Sequence, residues 1–388
     1  MKKILISKSE AGRATALVEN GRLLELLTDY NDESLAGNIY LGIVKKVTGG
    51  FIFLDIGQDR QAFLDTKDGR ERRRFPPGKP PAKPGDSMVV QVLKDAVGNK
   101  GPNVSSSIAY TGRYIMVYES LDADKVNVSK KIVDYDEIKR LKTTARKVLS
   151  RGFSAIIRSA AMDKNEKFIE NEVENLMNIW AKYSEWQTIK KPTTLWSRAG
   201  VVKTLMEVVP EDVDQIVVDD IDSYNAIKQE FASVYPDFAE KMSIHDEGEH
   251  IFTKYNIQNQ IDKLSDKNVW LKSGGFIVIE QTEACVVIDV NTGKFQSKGG
   301  ETAKLALNME AAAEIAYQLR LRNLSGIIII DFLRMLSKQD MHKLLEYLEL
   351  ELHKDRIPAL MVGMTTLGMV EVTRKRVRKP VNSATVLN

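Results

Sequence analysis

The chain is poor in the residues that build covalent or metal staples. A single cysteine, Cys285, stands among 388 residues, so no disulfide can close within the chain. For the same reason no cysteine-only zinc site can form from it. No run of about 18 apolar residues exists from which a membrane-spanning helix could be made. The N-terminal run Ile4-Leu5-Ile6 follows two lysines but is far too short for a signal peptide. Internal repeats and low-complexity tracts are missing apart from one proline-rich stretch. A reducing cytoplasm suits such a chain.

An excess of one charge is also missing. The formal net charge is only +3, so overall charge does not announce a polyanionic partner. What is present is ordinary for a globular protein: 43% hydrophobic and 28% charged residues, over a length that suggests two to four modules. Charge is local instead. Arg70, Arg72, Arg73, Arg74, Lys79 and Lys83 face one acid, Glu71, and Arg374 to Lys379 is similarly basic. Each run reads equally as a solvated loop or as a holder of phosphates.

Hydrophobic patterning divides the chain. Lys3 to Ser7, Ala14 to Glu19 and Arg22 to Thr28 read as strands, with Asn20-Gly21 as a hairpin turn. Asn38 to Val47, Phe51 to Ile56, Gln61 to Leu64 and Ser87 to Leu93 form a denser β series, which suggests a small barrel of the OB kind. Residues 107 to 203 mix strands at Tyr114 to Val117 and Ala155 to Arg158 with helices at Asp136 to Ser150 and Asn165 to Ser184. Trp180, Trp186 and Trp196 near the second helix read as packing residues. Residues 204 to 264 read as helix, strand (Gln215 to Val218), helix, polar loop, helix. In the last third come strands Gly275 to Glu280, Cys285 to Val290 and Ile327 to Ile330, with helices Ala303 to Leu319 and Gln339 to Leu352. Ala359 to Val362 and Val370 to Val377 read as further strands. That succession predicts a layered α/β or α+β unit.

Several groups of residues can carry chemistry. Asp289 follows Val286-Val287-Ile288, and Asp331 follows Ile327 to Ile330. An acid at the carboxyl end of an apolar strand sits at the rim of a sheet, where open sheets bind ligands. Asn291, two residues beyond Asp289, faces the same way. Two carboxylates and an amide suit magnesium, which takes few protein carboxylates and keeps its waters. The competing reading is that strand-end aspartates cap turns. Phe51, Phe53 and Phe63, with Lys94 and Lys100 nearby, form either a base-stacking surface or the inside of a small barrel. Arg158-Ser159 offers a guanidinium and a hydroxyl, for a terminal phosphate or simply for water. His245 to His250 is rich in ligand types, but its histidines are five apart around a glycine. It reads as a polar loop, not as a helical His-Glu-x-x-His site.

Longer motifs then point to a family. Gly274 to Ala284, continuing through Ile288-Asp289-Val290-Asn291-Thr292-Gly293, resembles the ribonuclease E/G family. So does Gln318 to Gly326 running into Ile327 to Asp331. Gly37 to Gly42, Phe53 to Gly57 and Ala62-Phe63-Leu64 resemble that family's RNA-binding barrel of the ribosomal S1 type. The resemblance covers nearly the whole chain in order. It implies an α+β multidomain fold: an RNase H-like subdomain from residues 1–33 plus 204–264, an S1/OB barrel at 34–106, a 5′ sensor at 107–203 and a DNase I-like catalytic subdomain at 265–388.

The resemblance also implies roles. Asp289 and Asp331 would bind magnesium, for which manganese can substitute, and Asn291 would orient Asp289 or the scissile phosphate. Phe53, Phe63 and Lys100 would hold RNA. Gly112, Arg158 and Ser159 would read a 5′-monophosphate, with Ser159 in place of the usual threonine. The implied activity is endonucleolytic cleavage of single-stranded, AU-rich RNA in rRNA processing and mRNA decay, leaving 5′-phosphate and 3′-hydroxyl ends. The alternative is a protein that binds RNA or ribosomes without cutting.

Three departures stand out. Arg334 occupies a place where the family often has an acid. Pro358 replaces a basic residue of the family's sensor. The sequence stops at Asn388, where the family's zinc-binding Cys-x-x-Cys would follow, so zinc and a zinc-linked tetramer are not expected from these residues, whereas a homodimer is compatible with them.

Overall fold

The computed structural model describes residues 1–381 except 11, 31–33, 69–70, 72–81, 97–99, 120–124, 182–188, 190, 199, 211, 247, 295–299 and 379. The basic run from Arg70 to Lys83 therefore lies outside the described residues save for Glu71, Ala82 and Lys83, as do Trp186, Glu247 and Lys379. The chain divides into two compact units. One comprises residues 1–31, 207–224 and 241–388; the other comprises 32–206 and 225–240.

The first unit has two sheets. In one, β1 (Lys2–Ser9), β2 (Gly12–Glu19) and β3 (Arg22–Tyr30) form a meander. Asn20 and Gly21 both take positive φ, as a two-residue hairpin turn of this type demands. β14 (Gln215–Val218) pairs in parallel with β1, Lys3 against Gln215, and β15 (Met242–Ile244) completes the order β15-β14-β1-β2-β3. No local pattern foretells a pairing between strands so far apart in sequence.

The other sheet runs β16-β17-β18-β19-β21-β20, made of β16 (Asn268–Trp270), β17 (Phe276–Gln281), β18 (Cys285–Asn291), β19 (Gly326–Asp331), β20 (Ala359–Met364) and β21 (Val370–Arg374). Helices packed on one face supply its core. Ile277, Ile288, Ile328 and Ile330 meet Ile315 and Leu319 from residues 300–321 and Leu344 and Leu348 from residues 338–353. Each such side chain contributes about 1.5–3 kcal/mol on burial. The continuous run Ile327 to Ile330 forms a strand, as its apolar character predicts. Only one face is covered: Ile328 and Ile330 are fully buried, whereas Ile327 is 57% exposed.

The second unit holds the barrel. β4 (Ile39–Thr48), β5 (Phe51–Asp55), β6 (Ala62–Asp65), β7 (Ser87–Lys94) and β8 (Asn103–Ser105) follow the order β4-β5-β6-β8-β7, and β7 pairs back onto β4 to close it. Closure removes both sheet edges, consistent with an OB-like fold. β13 (Thr193–Trp196) adds to β4 from outside the closed ring. A separate sheet, β11-β12-β10-β9, is built from β9 (Ala109–Thr111), β10 (Ile115–Glu119), β11 (Val126–Val128) and β12 (Phe153–Ile157). With it go α1 (Tyr135–Val148) and α2 (Glu166–Ala181). α1 starts where the Asp134 carboxylate accepts from the Glu137 amide at 2.7 Å. Trp180 packs edge-on against Phe153 and Trp196 against Tyr110, so both are packing residues as expected.

The remaining helices are α3 (Gly200–Val208), α4 (Ile221–Val234), α5 (Pro236–Glu240), α6 (Ile251–Lys254), α7 (Gln258–Asp262), α8 (Gly300–Leu321) and α9 (Lys338–His353). Among the described residues no helix is long and apolar enough to cross a membrane.

Candidate active site

β18 and β19 are parallel, and their register sets Asp289 directly beside Asp331. Adjacent strands lie about 4.8 Å apart, so the two carboxylates leave the sheet as neighbours. Alternation decides which way they point. Val286, Ile288 and Val290 enter the core, so Val287, Asp289 and Asn291 take the open face. Ile328 and Ile330 do the same for Asp331. Both aspartates are exposed, and neither forms an ion pair among the described residues. The Asn291 side-chain amide donates to Asp289 Oδ2 at 2.9 Å, which fixes one oxygen of that carboxylate.

This donor set fits a hard cation that retains water. Among the described residues no group of three or more His, Cys, Asp or Glu stands close enough to cage an ion. Two carboxylates at a solvent-facing rim leave the remaining positions to water and substrate oxygen, as magnesium prefers.

A residue that the sequence did not single out fixes the far side of the site. Asn308 on α8 is fully buried. Its Nδ2 donates to the Leu333 carbonyl at 2.8 Å and its Oδ1 accepts from the Leu333 amide at 3.0 Å. Glu301, two turns earlier on the same face of α8, accepts from the Leu336 amide at 2.9 Å. Asn308 and Glu301 thus tie the loop leaving Asp331 to α8. Arg334 lies exposed on that loop, and its carbonyl accepts from Lys304 at 3.5 Å.

In the second unit, Gly112 and Arg158 come together: the Arg158 guanidinium donates to the Gly112 carbonyl at 2.6 Å. Ser159 follows at the start of a short 3-10 turn, and both Arg158 and Ser159 are exposed. A buried carboxylate that sequence reasoning missed shapes this place. Glu172 on α2 is 1% exposed. It accepts from the amides of Arg113 (2.6 Å), Tyr114 (2.8 Å) and Ile115 (2.9 Å), and from the Tyr235 hydroxyl. Burial pushes the Glu172 carboxyl up, against the hydrogen bonds that pull it down, and pushes the Tyr235 hydroxyl well up. A Cβ at position 112 would sit 2.2 Å from the Glu172 carboxyl carbon, so only glycine fits there.

On the barrel, Ile52, Leu54, Ala62 and Leu64 fill the interior. Phe51, Phe53 and Phe63 therefore point outward, each half-buried. They are not the filling of the barrel. Phe53 is in register with Phe63, and the Phe51 ring lies 6.3 Å from Phe63. Lys46, in register with Phe53, is exposed beside them. Lys100 is exposed three residues before Asn103, which registers with Phe63; the Phe63 amide donates to the Pro102 carbonyl at 3.0 Å.

Other candidates serve the fold. His250 caps α6, accepting from the Phe252 amide at 3.2 Å, and His245 bonds the Glu249 carbonyl at 2.7 Å, so the polar-loop reading of this segment holds. Within the second basic run, Arg374 is buried against Asp355 at 2.8 Å, and Arg378 pairs with Asp29 at 2.8 Å and Glu207 at 3.1 Å. Those guanidiniums are committed to structure. Pro358 is exposed, with its carbonyl accepting from Lys375 at 3.0 Å.

Comparison with known proteins agrees with the resemblance. A family model described as the ribonuclease E/G family matches residues 109–377. The ribonuclease G of Escherichia coli (strain K12) is 33% identical over 399 residues, covering 98% of this chain and 81% of that protein. The ribonuclease G of Salmonella typhimurium is 32% identical over 398 residues, with the same coverage of 98% and 81%. The ribonuclease E of a Synechocystis species is 32% identical over 387 residues, 97% of this chain and 57% of that protein.

Proposed function

The chain belongs to the ribonuclease E/G family and is an endoribonuclease, and from that premise we propose that it cuts single-stranded, AU-rich RNA with magnesium at Asp289 and Asp331. One observation carries the reading: the two carboxylates are in register on neighbouring parallel strands, at an open rim, with Asn291 bonded to one of them. Asp289 and Asp331 would hold the ion, with manganese able to substitute. When bound, such an ion supplies an activated water and neutralises charge at phosphorus.

The residues of the chain do the rest. Asn291 holds Asp289 in one orientation, so the carboxylate does not swing on substrate binding. Asn308 and Glu301 hold the loop after Asp331. Water adds to phosphorus in line with the departing O3′, the P–O3′ bond breaks, and the proton lost by water balances the one taken up by O3′. The products carry a 5′-phosphate and a 3′-hydroxyl. Phe53 and Phe63 stack unpaired bases on the barrel and Lys100 meets phosphate there. Arg158 and Ser159 receive a terminal 5′-monophosphate, with Gly112 placed by Glu172.

The order β3-β2-β1-β14-β15 supports reading residues 1–33 with 204–264 as an RNase H-like subdomain, and the helix-backed sheet supports a DNase I-like one at 265–388. The setting proposed is rRNA processing and mRNA decay in the cytoplasm.

The test is a 5′-labelled single-stranded RNA incubated with the purified chain, with magnesium and with EDTA, and the product ends identified. Metal-dependent products with 5′-phosphate and 3′-hydroxyl ends are expected. Binding without cleavage across a range of magnesium concentrations would support a non-cutting RNA-binding protein instead.

A further inference from the structure

The open face that carries Asp289 also carries two aromatic rings. Residues in register on an antiparallel pair project to the same face. Trp270 on β16 is in register with Phe276 on β17, and Phe276 with Asn291 on β18. Asn291 in turn bonds Asp289. With strands about 4.8 Å apart, this row places Phe276 one strand from Asn291 and Trp270 two strands from it.

The two rings differ in freedom. Phe276 is wedged against the turn that follows β18. A Cβ at Gly293, where φ is +52°, would meet the Phe276 ring at 3.0 Å and the Gly274 carbonyl at 2.7 Å. The Lys294 amide also ties this turn to Gly274, at 2.9 Å. Trp270 leans on the fixed ring, with centroids 5.1 Å apart and planes tilted by 48°. It remains 60% exposed on a three-residue edge strand. An indole that open adds little to the core. Its orientation is nevertheless set by a ring held in place.

We propose that Trp270, braced by Phe276, is a stacking shelf for one unpaired base of the RNA beside the scissile phosphate. The proposal rests on the reading of Asp289 and Asp331 as the cleavage site. The occupant follows from chemistry and position. A large exposed π surface in line with the phosphate-handling residues suits a nucleobase, and any base offers a π face. A base within a duplex is already stacked on its neighbours, so the shelf would select single strands at the point of cutting.

The experiment uses the full chain and a set of otherwise identical oligoribonucleotides, each with one abasic residue walked across the cleavage site. For wild type, one position should lower kcat/KM roughly tenfold, as expected for one lost stacking contact. Trp270→Ala should show that loss on intact RNA, with no further loss from the abasic residue at that position. Trp270→Phe should recover most of it. Losses from Trp270→Ala and from every abasic position that simply multiply would overturn the shelf. So would a Trp270→Ala chain that cuts like wild type.

The same coupling read as Kd by fluorescence anisotropy, in EDTA, separates this proposal from the cleavage reading. Coupling in Kd without any metal-dependent cutting sinks the cleavage site and keeps the shelf. Sedimentation gives the remaining outcome: self-association abolished by Trp270→Ala, with no coupling to any base, assigns Trp270 to a contact between copies and overturns the proposal.

Discussion

Asp289 on a strand and Glu172 on a helix are both carboxylates, and they have opposite surroundings. Asp289 is exposed, takes one described hydrogen bond from Asn291, and faces Asp331 across a strand pair. Glu172 is buried and receives donors from three consecutive amides and a tyrosine hydroxyl. Two like charges side by side without a counter-charge do not stabilise a fold; they become useful when a cation joins them. A buried carboxylate ringed by donors has its valence filled by the protein and none left for a ligand. Under the proposed function the first acid serves chemistry and the second architecture. That contrast predicts that losing the first kind of acid costs rate, and that losing the second kind costs stability.

The sharpest way to break that contrast is Asp331→Asn. Cleavage should fall by on the order of a thousandfold, since several kcal/mol of charge stabilisation at phosphorus depend on the pair. The melting temperature should stay at the wild-type value. A parallel fall in melting temperature would mean that Asp331 is architectural after all.

Glu172→Ala is the mirror experiment. It leaves buried amides and the Tyr235 hydroxyl without their acceptor, at a cost of about 3 kcal/mol or more in unfolding free energy. Urea denaturation measures it. Cleavage of a 5′-hydroxyl RNA per folded molecule should persist, because the acid touches no substrate. An unchanged midpoint would erase the distinction.

Smaller effects sharpen the picture within the second unit. Phe53→Ala and Phe63→Ala should each weaken RNA binding by about 1–3 kcal/mol, read as a raised KM with a milder change in kcat. Arg158→Ala should act only on the 5′ end. It should remove any preference for 5′-monophosphorylated over 5′-hydroxyl RNA and leave cutting of the latter unchanged. Equal rates on both RNAs with the wild-type chain would indicate that Pro358 accompanies a lost sensor.

The same two acids show what was legible in the sequence. Asp289 and Asp331 end apolar runs, and a period of two placed Asn291 with Asp289; strand geometry is local, so the pattern suffices. Motifs then singled out these acids among many. Glu172 gave no such signal. It sits on a helix, and its partners at Arg113 to Ile115 and Tyr235 come from distant parts of the chain. Asn308 was hidden in an alanine-rich helix for the same reason. The short strands at Asn103 to Ser105 and Asn268 to Trp270 carry too few residues to show a period, yet one bridges β6 and β7 in the barrel and the other presents Trp270. Phe53 and Phe63 were visible as an alternation, but which face was inside depended on the barrel closing.

On the proposed function, the paired carboxylates at the rim of β18 and β19 make this chain a metal-dependent nuclease. The most direct measurement is cleavage of a short fluorescent RNA by Asp289→Asn and wild type over a magnesium titration, with thermal melting of both proteins alongside. Magnesium-dependent cutting by wild type, none detectable for Asp289→Asn, and superimposable melting curves are expected. Cutting by Asp289→Asn at the wild-type rate would contradict the proposed function.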